Sequence, residues 1–200
     1  MELPAPIKKL ASELAALPSI GPRQATRMAF HLAHEDPTNI RGLAAAVEGL
    51  SRLTPCERCF LIHDGDDRLC SICKNGARNE RVVMVVEKET DLVSLENTGR
   101  FKGRYLVVGD LPRAGVLAEE QRRRLASLAK TLAALPDGKA EEIILAFDPT
   151  NLGDFHASLV AKELAPYAQK MTRLGRGLPS GGEIEFADDE TLGSAFEGRA

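Results

Sequence analysis

The sequence contains no tryptophan, and aromatic residues make up only 4% of its 200 residues. A groove that binds single-stranded nucleic acid by stacking the bases needs a series of aromatic side chains. An excess of positive charge is also missing, because 26 lysines and arginines are opposed by 29 aspartates and glutamates, for a net charge of −3. We therefore exclude a base-stacking platform and a protein that coats nucleic acid through bulk charge. Any phosphate contact has to come from a local cluster.

Long hydrophobic runs are absent as well. The longest apolar stretches are VVMVV at 82–86 and the end of EEIILAF at 141–147, far shorter than the roughly 20 residues that span a bilayer. The N-terminus, MELPAPIKKL, has no apolar segment of the kind found in signal peptides. With hydrophobic residues at 44%, the chain can bury a core. We expect a folded cytoplasmic protein without membrane contact.

Four zones differ in sequence pattern. Residues 1–53 have the spacing of three helices, the third over 41–53, and residues 54–78 have neither helical nor strand periodicity. Residues 79–175 follow the order β-α-β-α-β-α-β, which predicts a mostly parallel sheet with right-handed crossovers. Residues 176–200 carry six acids and two bases and form an acidic tail. The sequence therefore predicts a multi-module protein of mixed α+β and α/β class.

All four cysteines lie in the second zone, as two Cys-x2-Cys pairs separated by ten residues: Cys56, Cys59, Cys70 and Cys73. In a reducing compartment this spacing indicates a metal site rather than disulfides. Two such turns present four thiolates to one tetrahedral Zn²⁺, and a short segment without an apolar core needs such a ligand to fold. We predict one structural zinc ion per chain. His63 is an alternative ligand, and a redox pair or ordinary buried cysteines are alternative interpretations.

The segment LPSIGPRQATRMAFHL at 17–32 has the pattern of a helix-hairpin-helix. Its prolines and glycine indicate a tight turn, with Pro22 at the first position of the following helix. The free amide groups at that helix start can bind a phosphate. Arg23, Arg27 and His31 recur at i, i+4 and i+8, on one face of the helix. We predict that Arg23 and Arg27 contact the nucleic-acid backbone independently of sequence. A solvated basic face on a packed helix pair is the alternative.

Three predicted strands each run into a carboxylate: Glu87, Asp110 and Asp148. Ligands of open α/β sheets bind beyond the carboxyl ends of the strands, and several carboxylates there could hold Mg²⁺. Asp148 is followed by Pro149 and Thr150, so an Asp-x-Asp pair is missing. Two-metal phosphoryl chemistry needs more carboxylates than these. We therefore keep the magnesium site as a secondary hypothesis.

In this order, the segments resemble the RecR family of bacterial recombination mediators over essentially all 200 residues. The resemblance rests on the hairpin, the four-cysteine finger, a Toprim-like domain that starts at RVVMVVE, and RGLPSGGEIEF. It implies a DNA-repair protein that acts with RecO and RecF to load RecA at single-strand gaps. It also implies a tetrameric ring around DNA whose hole is lined by Arg23 and Arg27. By the same resemblance, residues 176–200 form a Walker-B-like oligomerisation segment, and the protein is not an enzyme.

Three features depart from the family pattern. Ser19 replaces the first glycine of the hairpin, which is unfavourable if that residue has a positive φ. The connection after Gly109-Asp110 is shorter than usual, and Asp148 stands where many members have asparagine.

The sequence contains no G-x4-G-K-[ST] motif, which would bind the phosphates of a nucleotide, so we expect no ATPase activity. The alternative function is a magnesium-dependent Toprim nuclease or primase-like enzyme that uses the three carboxylates.

Overall fold

The computed structural model describes residues 2–112 and 116–199, and the chain divides into two compact units, Met1–Leu53 and Thr54–Ala200. The N-terminal unit is helical. It contains α1 (Ala5–Ala15), α2 (Pro22–Ala33) and α3 (Pro37–Gly49), followed by a 3-10 turn at Leu50–Arg52. Helices α1 and α2 pack against each other, and the small side chains of Ala25 and Ala29 are fully buried at this contact.

Helix α3 begins earlier than the predicted range of 41–53. Asp36 is its N-cap and accepts a hydrogen bond from the Thr38 amide at 2.7 Å, while Pro37 occupies the first turn. Both residue types favour a helix start at this position. The predicted end is also wrong, because the last turn tightens into the 3-10 turn at Leu50–Arg52.

The second unit is built on a four-stranded parallel sheet. Its strands are β3 (Asn79–Val86), β4 (Gly103–Val107), β5 (Ala140–Ala146) and β6 (Ala168–Arg173), in the spatial order β4-β3-β5-β6. The crossovers are α5 (Glu89–Asn97), α6 (Glu119–Ala133) and α7 (Asn151–Leu164). The predicted order of strands and helices, and the parallel sheet, are confirmed.

Alternate residues of the central strands build two cores. Val83 and Val85 of β3 lie in the core that also contains buried leucines of α6 and α7. Met84 and Val86 of the same strand lie in the second core, with Leu92 of α5. This period of two explains why the strand carries the continuous apolar run VVMVV at 82–86, since both faces of that part of β3 are covered.

The cysteine segment contains a two-residue antiparallel pair, β1 (Thr54–Pro55) with β2 (Ile62–His63), and a single helical turn, α4 (Ser71–Lys74). It contacts the edge of the sheet, because the Val107 amide of β4 donates a hydrogen bond to the Cys59 carbonyl at 2.9 Å. Strand β4 is buried along its whole length. The segment thus covers an edge strand that would otherwise be open to pairing.

The C-terminal segment ends in a helix that the sequence analysis did not assign. The alternating stretch EIEF forms a 3-10 turn at Ile184–Phe186, and α8 follows at Asp189–Glu197. The N-cap of α8 is Asp188, which accepts a hydrogen bond from the Thr191 amide at 2.7 Å. Among the described residues, no helix combines the length and the apolarity needed to cross a membrane.

Candidate functional site

The turn between α1 and α2 contains a residue with a strained backbone conformation just before α2 begins. Ser19 has a φ of 64°, in the left-handed region that glycine adopts without penalty. Gly21 is the N-cap of α2 and supplies no side-chain cap. The amide groups of the first turn of α2 therefore keep their hydrogen-bonding capacity for an external acceptor such as a phosphate oxygen.

Arg23 and Arg27 lie in the first two turns of α2, and both are exposed. Neither forms an ion pair with any carboxylate in the part of the chain that the structure describes. His31, one turn further along, lies 3.5 Å from a carboxylate oxygen of Glu35. The helix therefore presents two uncompensated guanidinium groups and a histidine that already has an acidic neighbour. This end of α2 can attract anions without the help of the protein's net charge.

The four cysteines come together as the sequence analysis predicts. They are buried, with exposed fractions between 0% and 4%, and their Sγ atoms all lie within 4.8 Å of one another. They form no disulfide, and the Sγ atoms of Cys59 and Cys70 are 3.5 Å apart. A tetrahedral zinc ion with Zn–S bonds of about 2.3 Å requires S–S separations of roughly 3.8 Å. The donor set and its spacing fit Zn²⁺.

The thiol chemistry also favours a cation at this position. Hydrogen bonds from Cys59 and Cys73 lower the pKa of Cys70, and the hydrogen bond to Cys70, together with burial, raises the pKa of Cys59. A buried group of thiols therefore resists full ionisation unless a positive charge compensates it. The Cys70 amide points at Cys56 Sγ at 3.3 Å, as an amide does towards a thiolate ligand. His63 is not part of the cluster.

The three predicted carboxylates do not form a comparable group. Among the described residues, the cysteines are the one group of three or more potential metal ligands whose donor atoms converge. Both oxygens of Glu87 are occupied, because Oε1 accepts a hydrogen bond from the Leu111 amide at 3.2 Å and Oε2 lies 3.4 Å from Nδ1 of His156. Asp110 and Asp148 are exposed. The shortened connection after Asp110 includes residues 113–115, which lie outside the described residues.

One charged cluster was not found by the sequence analysis. Asp154, in the first turn of α7, accepts hydrogen bonds from Arg173 at 2.6 Å and from Arg176. The two guanidinium groups, Arg176 foremost, lower the pKa of the Asp154 carboxyl. They lie 19 and 22 residues further along the chain, so no local spacing in the sequence pointed to this cluster. It connects α7 to the beginning of the C-terminal segment.

Comparison with known proteins finds family models in three parts of the chain and relatives of one kind over nearly its whole length. Three family models match, described as "RecR, helix-hairpin-helix" over residues 7–50, "Toprim domain" over residues 81–175 and "RecR, C-terminal" over residues 177–200. The chain is 42% identical to the recombination protein RecR of Frankia casuarinae over 196 residues, which cover 96% of this chain and 95% of the relative. It is 40% identical to that of Streptomyces avermitilis, with the same coverage. It is 39% identical to that of Chloroflexus aurantiacus over 198 residues, or 98% of this chain and 94% of the relative.

Proposed function

This chain belongs to the RecR family, and from that premise we propose that it is a DNA-binding mediator of recombinational DNA repair. It binds DNA through the backbone and without sequence preference, and it acts with RecO and RecF to help load RecA at single-strand gaps. It works in the cytoplasm and has no catalytic activity of its own. The observation that carries this proposal is the pair of exposed, uncompensated arginines on α2 of the helix-hairpin-helix.

The DNA contact combines two kinds of donor. The amide groups at the start of α2 bind one phosphate, and the guanidinium groups of Arg23 and Arg27 bind neighbouring phosphates. All of these donors contact the sugar-phosphate backbone, which is the same for every sequence. A chain with a net charge of −3 can bind DNA in this way because only the local field matters within a Debye length of roughly 8 Å.

Assembly into a ring, with four copies as the family resemblance implies, completes the proposed function. The chain supports self-association through apolar surface in each unit. Helix α3 and the 3-10 turn after it expose four apolar side chains at the spacing i, i+3, i+7 and i+10, with exposed fractions between 39% and 63%: Ile40, Leu43, Val47 and Leu50. The C-terminal segment exposes Phe186 and Phe196. A second copy of the chain is the partner we propose for these surfaces.

The remaining parts have supporting roles in this proposal. Residues 1–53 bind DNA, residues 54–78 form a zinc finger with one structural Zn²⁺, residues 79–175 form the Toprim domain that receives partner proteins, and residues 176–200 take part in oligomerisation. The zinc site is structural because four thiolates leave no coordination position for water or substrate.

The salt dependence of DNA binding tests the proposal. We expect the double variant Arg23→Ala/Arg27→Ala to bind every DNA sequence more weakly. The plot of log K against log salt has a negative slope, and each lost phosphate contact on duplex DNA makes it less steep by about 0.9. The double variant should therefore bring the slope closer to zero by about 1.8. Fluorescence anisotropy of a labelled gapped duplex at several salt concentrations measures both quantities.

The matched control removes two positive charges from another helix region of the same unit. Arg41 and Arg52 are exposed on α3 and the turn that follows it, and Arg41→Ala/Arg52→Ala should leave the salt slope nearly unchanged. Equal slopes for the two double variants would remove the hairpin from the DNA site. Absence of DNA binding by the unmodified protein, even at low salt, would instead favour a purely structural adaptor.

Incubation of the protein with DNA and Mg²⁺ tests the enzymatic alternative. We expect supercoiled and gapped DNA to stay intact when the protein is incubated with them in the presence of Mg²⁺, because the carboxylate of Glu87 is already occupied by a backbone amide and a buried histidine. Strand scission that disappears in Glu87→Gln would establish a Toprim nuclease and contradict the proposed function.

A further inference from the structure

The four-cysteine segment depends on the sheet for its packing. Besides the cysteines, the described residues that pack into its cluster are Leu61, Leu69 and Ile72. Leu61 and Ile72 also contact the second core of the sheet, and Phe60 is buried in the first core. The segment is therefore attached to the Toprim domain through its own apolar residues, and the position of each Cys-x2-Cys turn depends on groups of the sheet.

A buried arginine contacts the second cysteine turn. Arg104 lies on edge strand β4 and is only 7% exposed. Its Nη1 donates hydrogen bonds to the carbonyl oxygens of Ile72 and Cys73, at 3.1 and 3.0 Å. These carbonyls belong to α4, a single turn in which the Ile72 carbonyl otherwise accepts only a long hydrogen bond of 3.4 Å from the Asn75 amide within the described residues. Arg104 thus fixes the backbone of a metal ligand, Cys73, to the sheet.

A second arginine belongs to the first cysteine turn. Arg58 lies between Cys56 and Cys59, and its Nη1 is 3.0 Å from Oε1 of Glu80 on β3. Arg104 donates to the same carboxylate oxygen through Nη2, at 2.9 Å. One carboxylate therefore joins a guanidinium from the first turn to a guanidinium that holds the second turn. This Arg58–Glu80–Arg104 bridge connects the two halves of the metal site through a side chain of the sheet.

We propose that the Arg58–Glu80–Arg104 bridge positions the two cysteine turns for metal binding. Arg104 and Glu80 are then positioning residues of the zinc site, although neither is one of its four ligands. The bridge also couples the metal to edge strand β4. This inference rests on zinc binding by the four cysteines. Groups that orient metal ligands from outside the coordination sphere commonly change metal affinity by 10- to 100-fold when they are substituted.

The test is the rate at which the zinc-loaded full-length protein releases its metal to a colorimetric chelator. We expect Arg104→Gln to release zinc at least about tenfold faster than the unmodified protein, because glutamine cannot reach both carbonyls and the carboxylate. Arg104→Lys should restore the rate only in part, since an ammonium lacks the planar fork of the guanidinium. Glu80→Gln, which keeps the shape and removes the charge, should also accelerate release.

The matched control lies in the same segment. Arg68 pairs with Glu57 of the first cysteine turn at 2.6 Å, in an exposed ion pair. Within the described residues, the Arg68 side chain hydrogen-bonds neither to the sheet nor to a cysteine carbonyl. We expect Arg68→Gln to release zinc within about twofold of the unmodified rate. The visible spectrum of the cobalt-substituted protein gives a second readout, because a displaced thiolate changes the tetrahedral field whereas a general loss of stability does not.

The outcomes separate the two claims. An unmodified protein that binds no zinc would refute the metal assignment itself. An unmodified protein with one zinc ion, together with Arg104→Gln and Glu80→Gln variants that release it at the control rate and keep the cobalt spectrum, would overturn the positioning role alone. If Arg104→Gln is insoluble, Glu80→Gln against Arg68→Gln decides the question by the same two measurements.

Discussion

The left-handed residue in the hairpin turn leads to a prediction of definite sign. Ser19 is exposed and has a φ of 64°, and its hydroxyl makes no hydrogen bond within the described residues. A side chain in this conformation costs about 1–2 kcal/mol, because Cβ crowds the following carbonyl. Glycine removes that cost but loses more backbone entropy on folding, about 0.5–1 kcal/mol. We therefore expect Ser19→Gly to stabilise the N-terminal unit by about 0.5–1 kcal/mol.

The same substitution in a right-handed helix supplies the control. Ser12 is exposed in the middle of α1, where glycine is less favourable than serine by about 0.5 kcal/mol. Amide hydrogen exchange of α1 and α2 in the full-length protein measures both effects. Exchange should slow about two- to fivefold in Ser19→Gly and quicken about twofold in Ser12→Gly, since 1.4 kcal/mol corresponds to a factor of ten. Equal destabilisation by both glycines would refute the conformational argument.

Two further predictions concern the second unit. Replacing any one of the four cysteines by serine should lower the zinc content below one equivalent per chain and unfold the cysteine segment, because the free energy of metal binding stabilises the fold of such segments. Metal analysis and circular dichroism of the same samples check this prediction. A folded variant without metal would contradict it. Asp154→Asn should loosen α8 and raise its amide exchange roughly threefold, a modest effect because the ion pair is partly exposed. The pKa of the Asp154 carboxyl is lower in the folded chain than in the unfolded chain. Its contribution to the free energy of unfolding is therefore complete above about pH 4 and is lost as the pH falls through the pKa of the folded chain. Amide exchange measured between acid and neutral pH would show this loss.

The cysteine segment and edge strand β4 form one packed structure. Strand β4 has β3 on one side and the cysteine segment on the other, with the Val107 amide bonded to the Cys59 carbonyl. Phe60, with a φ of 62°, inserts from that segment into the core beneath Arg124. Because the cysteine segment and the sheet bury each other's surfaces, removal of the proposed zinc ion should expose the sheet edge as well as the cysteines.

The sequence was sufficient wherever the signal is local. The spacing of the cysteines requires two short turns, the apolar run VVMVV requires a strand covered on both faces, and Pro22 marks the start of a helix. The order of strands and helices follows from the same local periods, and the parallel sheet follows from that order. The bounds of these elements depend on a few neighbouring residues, which is why the sequence alone predicts them.

Long-range contacts determined the rest. Each of the three carboxylates Glu87, Asp110 and Asp148 follows a strand in the sequence. In the folded chain, however, Glu87 lies next to His156 of α7, and the two aspartates are exposed to solvent. In the sequence, nothing distinguishes Arg104 from an ordinary strand residue. In the structure, its guanidinium donates hydrogen bonds to two carbonyls of the second cysteine turn. The partner of a charged side chain depends on which residues the tertiary fold brings within about 3 Å, and sequence separation carries no information about that distance.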